Sequence, residues 1–335
     1  MPILGACLAL LALLVLIAAW SITSMPGRPH RGPPPAPGAA ERELAARLRA
    51  HVVAIASAEH NVAHPAALER AARYIEDALA RPGWAVARDE FDAGGVRVRN
   101  LEVVVPGAGP GAGDVLVVGA HYDSVRGATG ANDNGSGVAA LIELARLLRE
   151  RPPSTSPGSG AEIRLVAYVN EEMPWFGTDA MGSLRHARSL ARAGRRVTAM
   201  LSLETIGYYS DAPGSQRYPA PFSALYPAEG DFIAFVGNLR SRSLVRRAVA
   251  SFRAHAAFPS EGGAFPDAVK DAGRSDHWAY WQQGWPALMV TDTAPFRYPH
   301  YHTLADTPDK IDYERTARVV LGIEAVIRDL AAPRD

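Results

Sequence analysis

The chain has 335 residues, room for one large α/β domain or two ordinary ones. Its 35 Lys and Arg balance 35 Asp and Glu, which removes the excess basic charge that non-specific nucleic-acid binding needs. The single cysteine, Cys7, excludes an intrachain disulfide framework and a cysteine-built zinc site, so any metal must be held by His, Asp and Glu.

Residues 3–20 are almost wholly apolar and, at about 1.5 Å per residue, nearly span a hydrocarbon core. We read residues 1–24 as a membrane anchor. A secretory signal is the competing reading, but no Lys or Arg precedes the apolar run and bulky Trp20 sits between the small residues Ala19 and Ser21. Arg28 and Arg31 follow the run, and by the positive-inside rule they favour a cytoplasmic C-terminal side. Residues 25–40 have the Pro and Gly content of a linker, and the folded domain is expected over 41–335.

Apolar residues at helical spacing predict helices over 44–55 and 66–79. Strands and helices then alternate, with strands at 96–105 and 115–120, a helix at 135–149, a strand at 163–169 and a helix at 181–193. Strands follow at 197–203, 232–236 and 287–290, then a helix at 313–330. Val115 to Val118 and Leu165 to Val169 are apolar without alternation, as in parallel strands buried on both faces. The expected fold is α/β: one globular domain with a mixed, mostly parallel central sheet flanked by helices. The long irregular stretch 211–230 is a candidate for substrate selection.

Five segments after successive strands carry candidate chemistry. His121 and Asp123 end the strand at 115–120, on the same side of the chain and close enough for the carboxylate to orient a metal-binding imidazole. Asp133 lies on a Gly-rich turn before a helix. A helix cap is the bland reading, but a carboxylate just beyond a parallel strand can also bridge two ions. Glu171 and Glu172 diverge as neighbours do, so one can bind metal while the other serves as a general base. Glu204 follows the strand at 197–203, and His302 follows the last strand, with His300 as its rival. Taken together, His121, Asp133, Glu172, Glu204 and His302 converge on one sheet edge, and a thiolate-free set of this size suits two zinc ions. Ser275, Asp276 and His277 lack the Gly-x-Ser-x-Gly elbow of a serine triad and are read as a pocket wall. His60 and His64 are expected to cap or pack. Trp175, Phe176, Trp278, Trp281 and Trp285 are expected as core or rim aromatics.

The motifs Gly-Ala-His121-Tyr-Asp123-Ser, Gly-Ala-Asn-Asp133-Asn-Gly-Ser-Gly, Asn-Glu171-Glu172, Ser-Leu-Glu204-Thr-Ile-Gly, Tyr-His302-Thr and Asp306-Thr307 make the stretch 61–330 resemble metallopeptidase family twenty-eight, the di-zinc aminopeptidases. The resemblance implies that His121 and Glu204 bind one zinc, Glu172 and His302 the other, and Asp133 bridges them. It also implies Glu171 as general base through a metal-bound water, Asp123 as partner of His121, and a peptide with a free N-terminus as substrate. The position of Glu204 is more often Asp in that family, so a longer side chain must reach the first zinc. The resemblance places the domain outside the cytoplasm, membrane-anchored or secreted. A glutaminyl-cyclase-like zinc acyltransferase and a non-catalytic ectodomain on the same fold are the alternatives. Nothing in the sequence fixes the oligomeric state.

Overall fold

A computed structural model describes residues 17, 19–32, 34–111, 113–152, 160–220 and 222–333. Cys7 and most of the apolar run 3–20 lie outside those residues, and no helix among the described residues is long and apolar enough to cross a membrane.

Helix α1 (Ala39–Ile55) starts where Glu41 Oε2 accepts the Gly38 N–H at 2.8 Å, and it buries Leu44, Leu48, Val52 and Ile55 along one stripe. Helix α2 (Pro65–Ala80) opens on a proline, whose missing N–H costs nothing in a first turn. Strands β1 (Val86–Ala93) and β2 (Val96–Val105) form a hairpin around Gly94 and Gly95, both at positive φ. Then come β3 (Asp114–His121), α3 (Gly137–Glu150), β4 (Glu162–Tyr168), α4 (Gly182–Arg192), β5 (Arg196–Glu204), β6 (Ile233–Asn238), α5 (Arg242–His255) and β7 (Ser260–Phe265). The chain closes with the short α6 (His277–Trp281), β8 (Ala287–Thr291), the single turn α7 (Ala294–Arg297) and α8 (Tyr313–Ala331).

The eight strands form one sheet in the order β1-β2-β4-β3-β5-β8-β6-β7. Pairs β4–β3, β3–β5, β5–β8 and β6–β7 are parallel, and β1–β2, β2–β4 and β8–β6 antiparallel. Alternation divides the strands between two cores. Leu116, Val118, Leu165, Leu201, Leu203, Leu288 and Val290 pack beneath α1, α2, α3, α5 and α8. Val115, Val117, Val166, Tyr168 and Met200 face α4 and α6. Each such side chain, fully buried, contributes about 1.5–3 kcal/mol of transfer free energy. The indole rings of Trp278, Trp281 and Trp285 edge this second core.

Three elements depart from the sequence expectation. β1 pairs at the sheet margin although only Phe91 and Ala93 are buried in it. β7 is a Gly-rich edge strand held by β6. α5 lies outside the predicted elements, although Leu244, Val245, Ala248, Val249 and Phe252 recur at helical spacing. The end of the 1–24 stretch and the start of the Pro and Gly linker run along α5: Arg242 donates to Ser21 O at 2.6 Å, Arg246 to Ser24 O, and Arg253 to Pro26 O and Gly27 O at 3.1 and 3.3 Å.

Candidate metal centre

Strands β3, β4, β5 and β8 run parallel, so their carboxyl ends share one edge of the sheet, where a doubly covered sheet leaves a crevice. His121 is the last residue of β3. Its Nδ1–H donates to the main-chain oxygen of Asp123 at 3.0 Å, which fixes the tautomer and turns the lone pair of Nε2 into the crevice. The Asp123 carboxylate is 3.7 Å from that Nδ1 and accepts instead the N–H groups of Glu171 and Glu172, both at 3.1 Å. Asp123 therefore holds the turn after β4 by its side chain and the imidazole by its backbone.

Asp133 sits in an irregular turn (Ala131–Ser136) between β3 and α3. Gly130 enters that turn at φ 70°, and a Cβ there would lie 2.7 Å from the Asp133 carbonyl oxygen. The Asp306 carboxylate braces the turn, accepting the N–H of Asn132 at 2.8 Å, the N–H of Asp133 at 3.1 Å and the Tyr298 hydroxyl at 2.8 Å. Among the described residues, the non-glycines at positive φ are Asn170, Thr205, Thr293 and His302. Asn170 precedes Glu171, Thr205 follows Glu204, and His302 is itself a site residue. Strained backbone thus gathers where these side chains are aimed.

Two ligand-forming groups result: His121, Asp133 and Glu204, and Asp133, Glu172 and His302. His121 Nε2 is 3.4 Å from Asp133 Oδ1 and 3.3 Å from Glu204 Oε2; His302 Nε2 is 3.0 Å from Asp133 Oδ2 and 3.6 Å from Glu172 Oε1. Ligand atoms about 2.1 Å from a tetrahedral zinc lie roughly 3.4 Å from one another, so these spacings fit an ion in each group. His121 Nε2 and Glu172 Oε1 are buried with no hydrogen-bond partner, as expected of atoms whose partner is a metal. Glu171 joins neither group, its Oε2 standing 3.9 Å from His121 Nε2. His300 packs edge-on against Tyr298 and is also outside both groups, whereas the His302 ring stacks on Tyr301 at 3.8 Å.

The electrostatics carry the same signature. Burial, then the neighbouring acids, push the carboxyls of Glu171 and Glu172 well up, and burial raises Glu204. Burial works against Asp133 too, but the two imidazoles outweigh it and hold its carboxyl low. So much buried negative charge facing two histidines suits a divalent cation.

Sequence reasoning passed over two supports. Ser275, placed only in a pocket wall, donates to Glu204 Oε2 at 2.7 Å. Asp292, directly after β8, accepts Asn132 Nδ2–H at 2.9 Å and the N–H groups of Gly207 and Tyr208 at 3.1 and 2.8 Å. The strand-end logic that picked out Glu204 also points to Asp292. His60 and His64 stay outside both groups: His60 Nδ1 bonds Ala58 O at 2.8 Å, and His64 precedes α2 and pairs with Glu59 at 3.2 Å.

Comparison with known proteins gives the chain its relatives. The chain is 41% identical over 265 residues to the uncharacterized protein YfbL of Escherichia coli, covering 76% of this chain and 78% of that one. It is 24% identical over 234 residues to a probable leucine aminopeptidase 1 of Trichophyton verrucosum, covering 67% of this chain and 56% of the relative, so it spans little more than half of that protein's length. The fold is shared with the LapA aminopeptidase of Legionella pneumophila at a TM-score of 0.66 and 18% identity, over 89% of this chain and 75% of LapA. Bacterial glutaminyl cyclases are among other solved structures with this fold. The model of Peptidase family M28 matches residues 100–327, and the chain belongs to that family.

Proposed function

We propose that this peptidase is a zinc-dependent aminopeptidase holding two zinc ions, His121 and Glu204 on one, Glu172 and His302 on the other, and Asp133 on both. The observation that carries the reading is the sharing of Asp133 between two ligand groups, with Glu171 left outside both. Zinc bound there supplies Lewis acidity, polarising a peptide carbonyl and lowering the pKa of water. Glu171 receives the proton of the attacking water and delivers it to the leaving amine, a task suited to a buried carboxyl beside both ligand groups that belongs to neither. Asp123 keeps Glu171 and Glu172 apart in their two roles by holding both of their N–H groups. The substrate is a peptide with a free N-terminus.

A cyclase-like acyltransferase working with one zinc would leave the group of His121 and Glu204 without purpose, and both residues are present with spacings that suit an ion. Metal analysis of the soluble domain together with an aminoacyl-arylamide panel tests the reading. Two zinc ions per chain and release of the arylamine are expected. One zinc with cyclisation of N-terminal glutamine supports the acyltransferase, and two zincs without turnover support a non-catalytic ectodomain.

The apolar run 3–20 supports a membrane tether, and the family resemblance, against the charges at Arg28 and Arg31, supports a domain outside the cytoplasm. A reporter active only outside the cytoplasm should work when fused after Asp335, and activity of a cytoplasm-only reporter in its place contradicts that location.

A further inference from the structure

Beside the metal centre the helical layer of α4 and α6 ends, and the sheet face over β8, β6 and β7 is covered by loop residues 216–220, 222–226 and 269–274 instead. The space left is a cavity of about 460 Å³. Its floor is set by register. Glu204 pairs with Thr291, Thr291 with Ala234 and Ala234 with Glu261, so these four residues form one row across four strands on the same face. All four line the cavity. The row begins at a residue of the metal centre and ends at a carboxylate, with only a threonine and an alanine between. Tyr218, Phe222, Tyr226 and Phe265 give aromatic walls, and Tyr301, stacked on His302, stands at the end nearest the metal centre.

Glu261 closes the far end of the slot; Lys270, Asp271 and Arg274 also line the cavity, Arg274 pairing with Asp271 at 3.2 Å, and neither cation is paired with Glu261 among the described residues. The nearest cation paired with it is Arg253 at 4.0 Å, and that guanidinium already donates to Ser260 O, Ser260 Oγ, Pro26 O and Gly27 O. Arg31 adds a weaker favourable field, yet burial outweighs both and keeps the carboxyl above its ordinary range. A ligand cation would satisfy it.

The length of the slot fits one kind of side chain. Three strand spacings of about 4.8 Å separate the ends of the row by roughly 14 Å. From a scissile carbonyl at the metal centre, an extended arginine side chain reaches about 8.5 Å and lysine about 7.5 Å; a charge-assisted hydrogen bond of about 2.8 Å brings the span to roughly 10–11 Å, and the glutamate's own side chain, about 4 Å long, covers the remainder. Leucine stops several ångström short of the acid. We propose that Glu261 is a specificity-determining residue that receives the cationic tip of an N-terminal arginine or lysine, its alkyl stem lying over Thr291 and Ala234 between the aromatic walls. This rests on the aminopeptidase reading of the neighbouring centre.

The test uses the full zinc-loaded chain with arginyl-, lysyl-, norleucyl- and leucyl-arylamides, and calorimetry with argininamide and norleucinamide. Wild type is expected to favour arginyl and lysyl over norleucyl arylamide by at least tenfold in kcat/KM, and to bind argininamide correspondingly tighter. Glu261→Gln should lower the arginyl-to-norleucyl ratio at least tenfold, and Ala234→Leu, which obstructs the slot midway, should lower it without touching the acid. Cleavage of leucyl arylamide with no basic preference overturns the assignment of Glu261 and leaves the aminopeptidase reading standing. Preferential binding of argininamide that Glu261→Gln abolishes, without cleavage of any arylamide, supports the slot and overturns the aminopeptidase reading.

Discussion

Replacing Asp306 by Ala removes no zinc-binding atom, yet it should damage the centre more than its distance from the chemistry suggests. Its carboxylate accepts the N–H groups of Asn132 and Asp133 and the Tyr298 hydroxyl, all in a buried setting. Each buried donor left without an acceptor costs about 1–3 kcal/mol, so three of them amount to roughly 3–9 kcal/mol, nearer the low end where water enters the space left. Because the turn they hold presents Asp133 to both ligand groups, both zinc ions should bind more weakly together. Urea unfolding of the chelator-treated protein gives the first quantity, and zinc titration of the folded protein gives the second. Asp306→Asn, which keeps one oxygen acceptor, should fall between wild type and Ala in both. A loss below about 1 kcal/mol with zinc affinity unchanged would refute the bracing role.

Ser275→Ala removes the hydroxyl that donates to Glu204 Oε2 and should weaken one zinc about 10–100-fold, the usual cost of losing a ligand's support; unchanged titration curves would show that Glu204 needs no such partner. Glu204→Asp should keep more zinc than Glu204→Ala, and equal zinc content in wild type and the Ala variant would show that Glu204 is not a ligand. His277 is buried and its imidazole is pushed by burial from the ordinary 6.5 down to about 4. Between those pH values the unfolded chain binds a proton that the folded chain refuses, so stability falls as pH drops through the window, by up to roughly 3 kcal/mol from this group. His277→Phe, which can keep the edge-on contact with Trp281, should flatten that slope between pH 6.5 and 4, and parallel slopes for the two proteins count against the assignment.

The parallel core strands were legible because continuous runs such as Val115 to Val118 are what burial on both faces requires. The site was legible for a related reason: parallel strands bring their carboxyl ends to one edge, so His121, Glu172 and Glu204 could be grouped from strand ends alone. The edge strands could not be read in the same way. β1 carries Arg88, Asp89, Glu90 and Asp92 because one margin of the sheet faces water, and β7 has Gly263 because Tyr226 and Phe265 crowd the space a side chain there would need. The Asp123 carboxylate reaches Glu171 and Glu172 across a strand boundary, and Asp306 braces a turn more than 170 residues away. Such partners depend on where loops fold back, which no local spacing records. The Glu261 row needed the register across four strands, two of them separated from β5 by long connections.

In the proposed mechanism the neighbouring glutamates divide the labour, Glu172 holding zinc and Glu171 moving a proton. Measuring zinc per chain and turnover for Glu171→Gln and Glu172→Gln in parallel tests it most directly. Glu171→Gln should keep two zinc ions and bind substrate while turnover falls about 10²- to 10⁴-fold, the range for losing a positioned base. Glu172→Gln should lose affinity for one zinc as well as rate. Loss of metal from Glu171→Gln, with both ions retained by Glu172→Gln, would contradict the assignment and exchange the two roles.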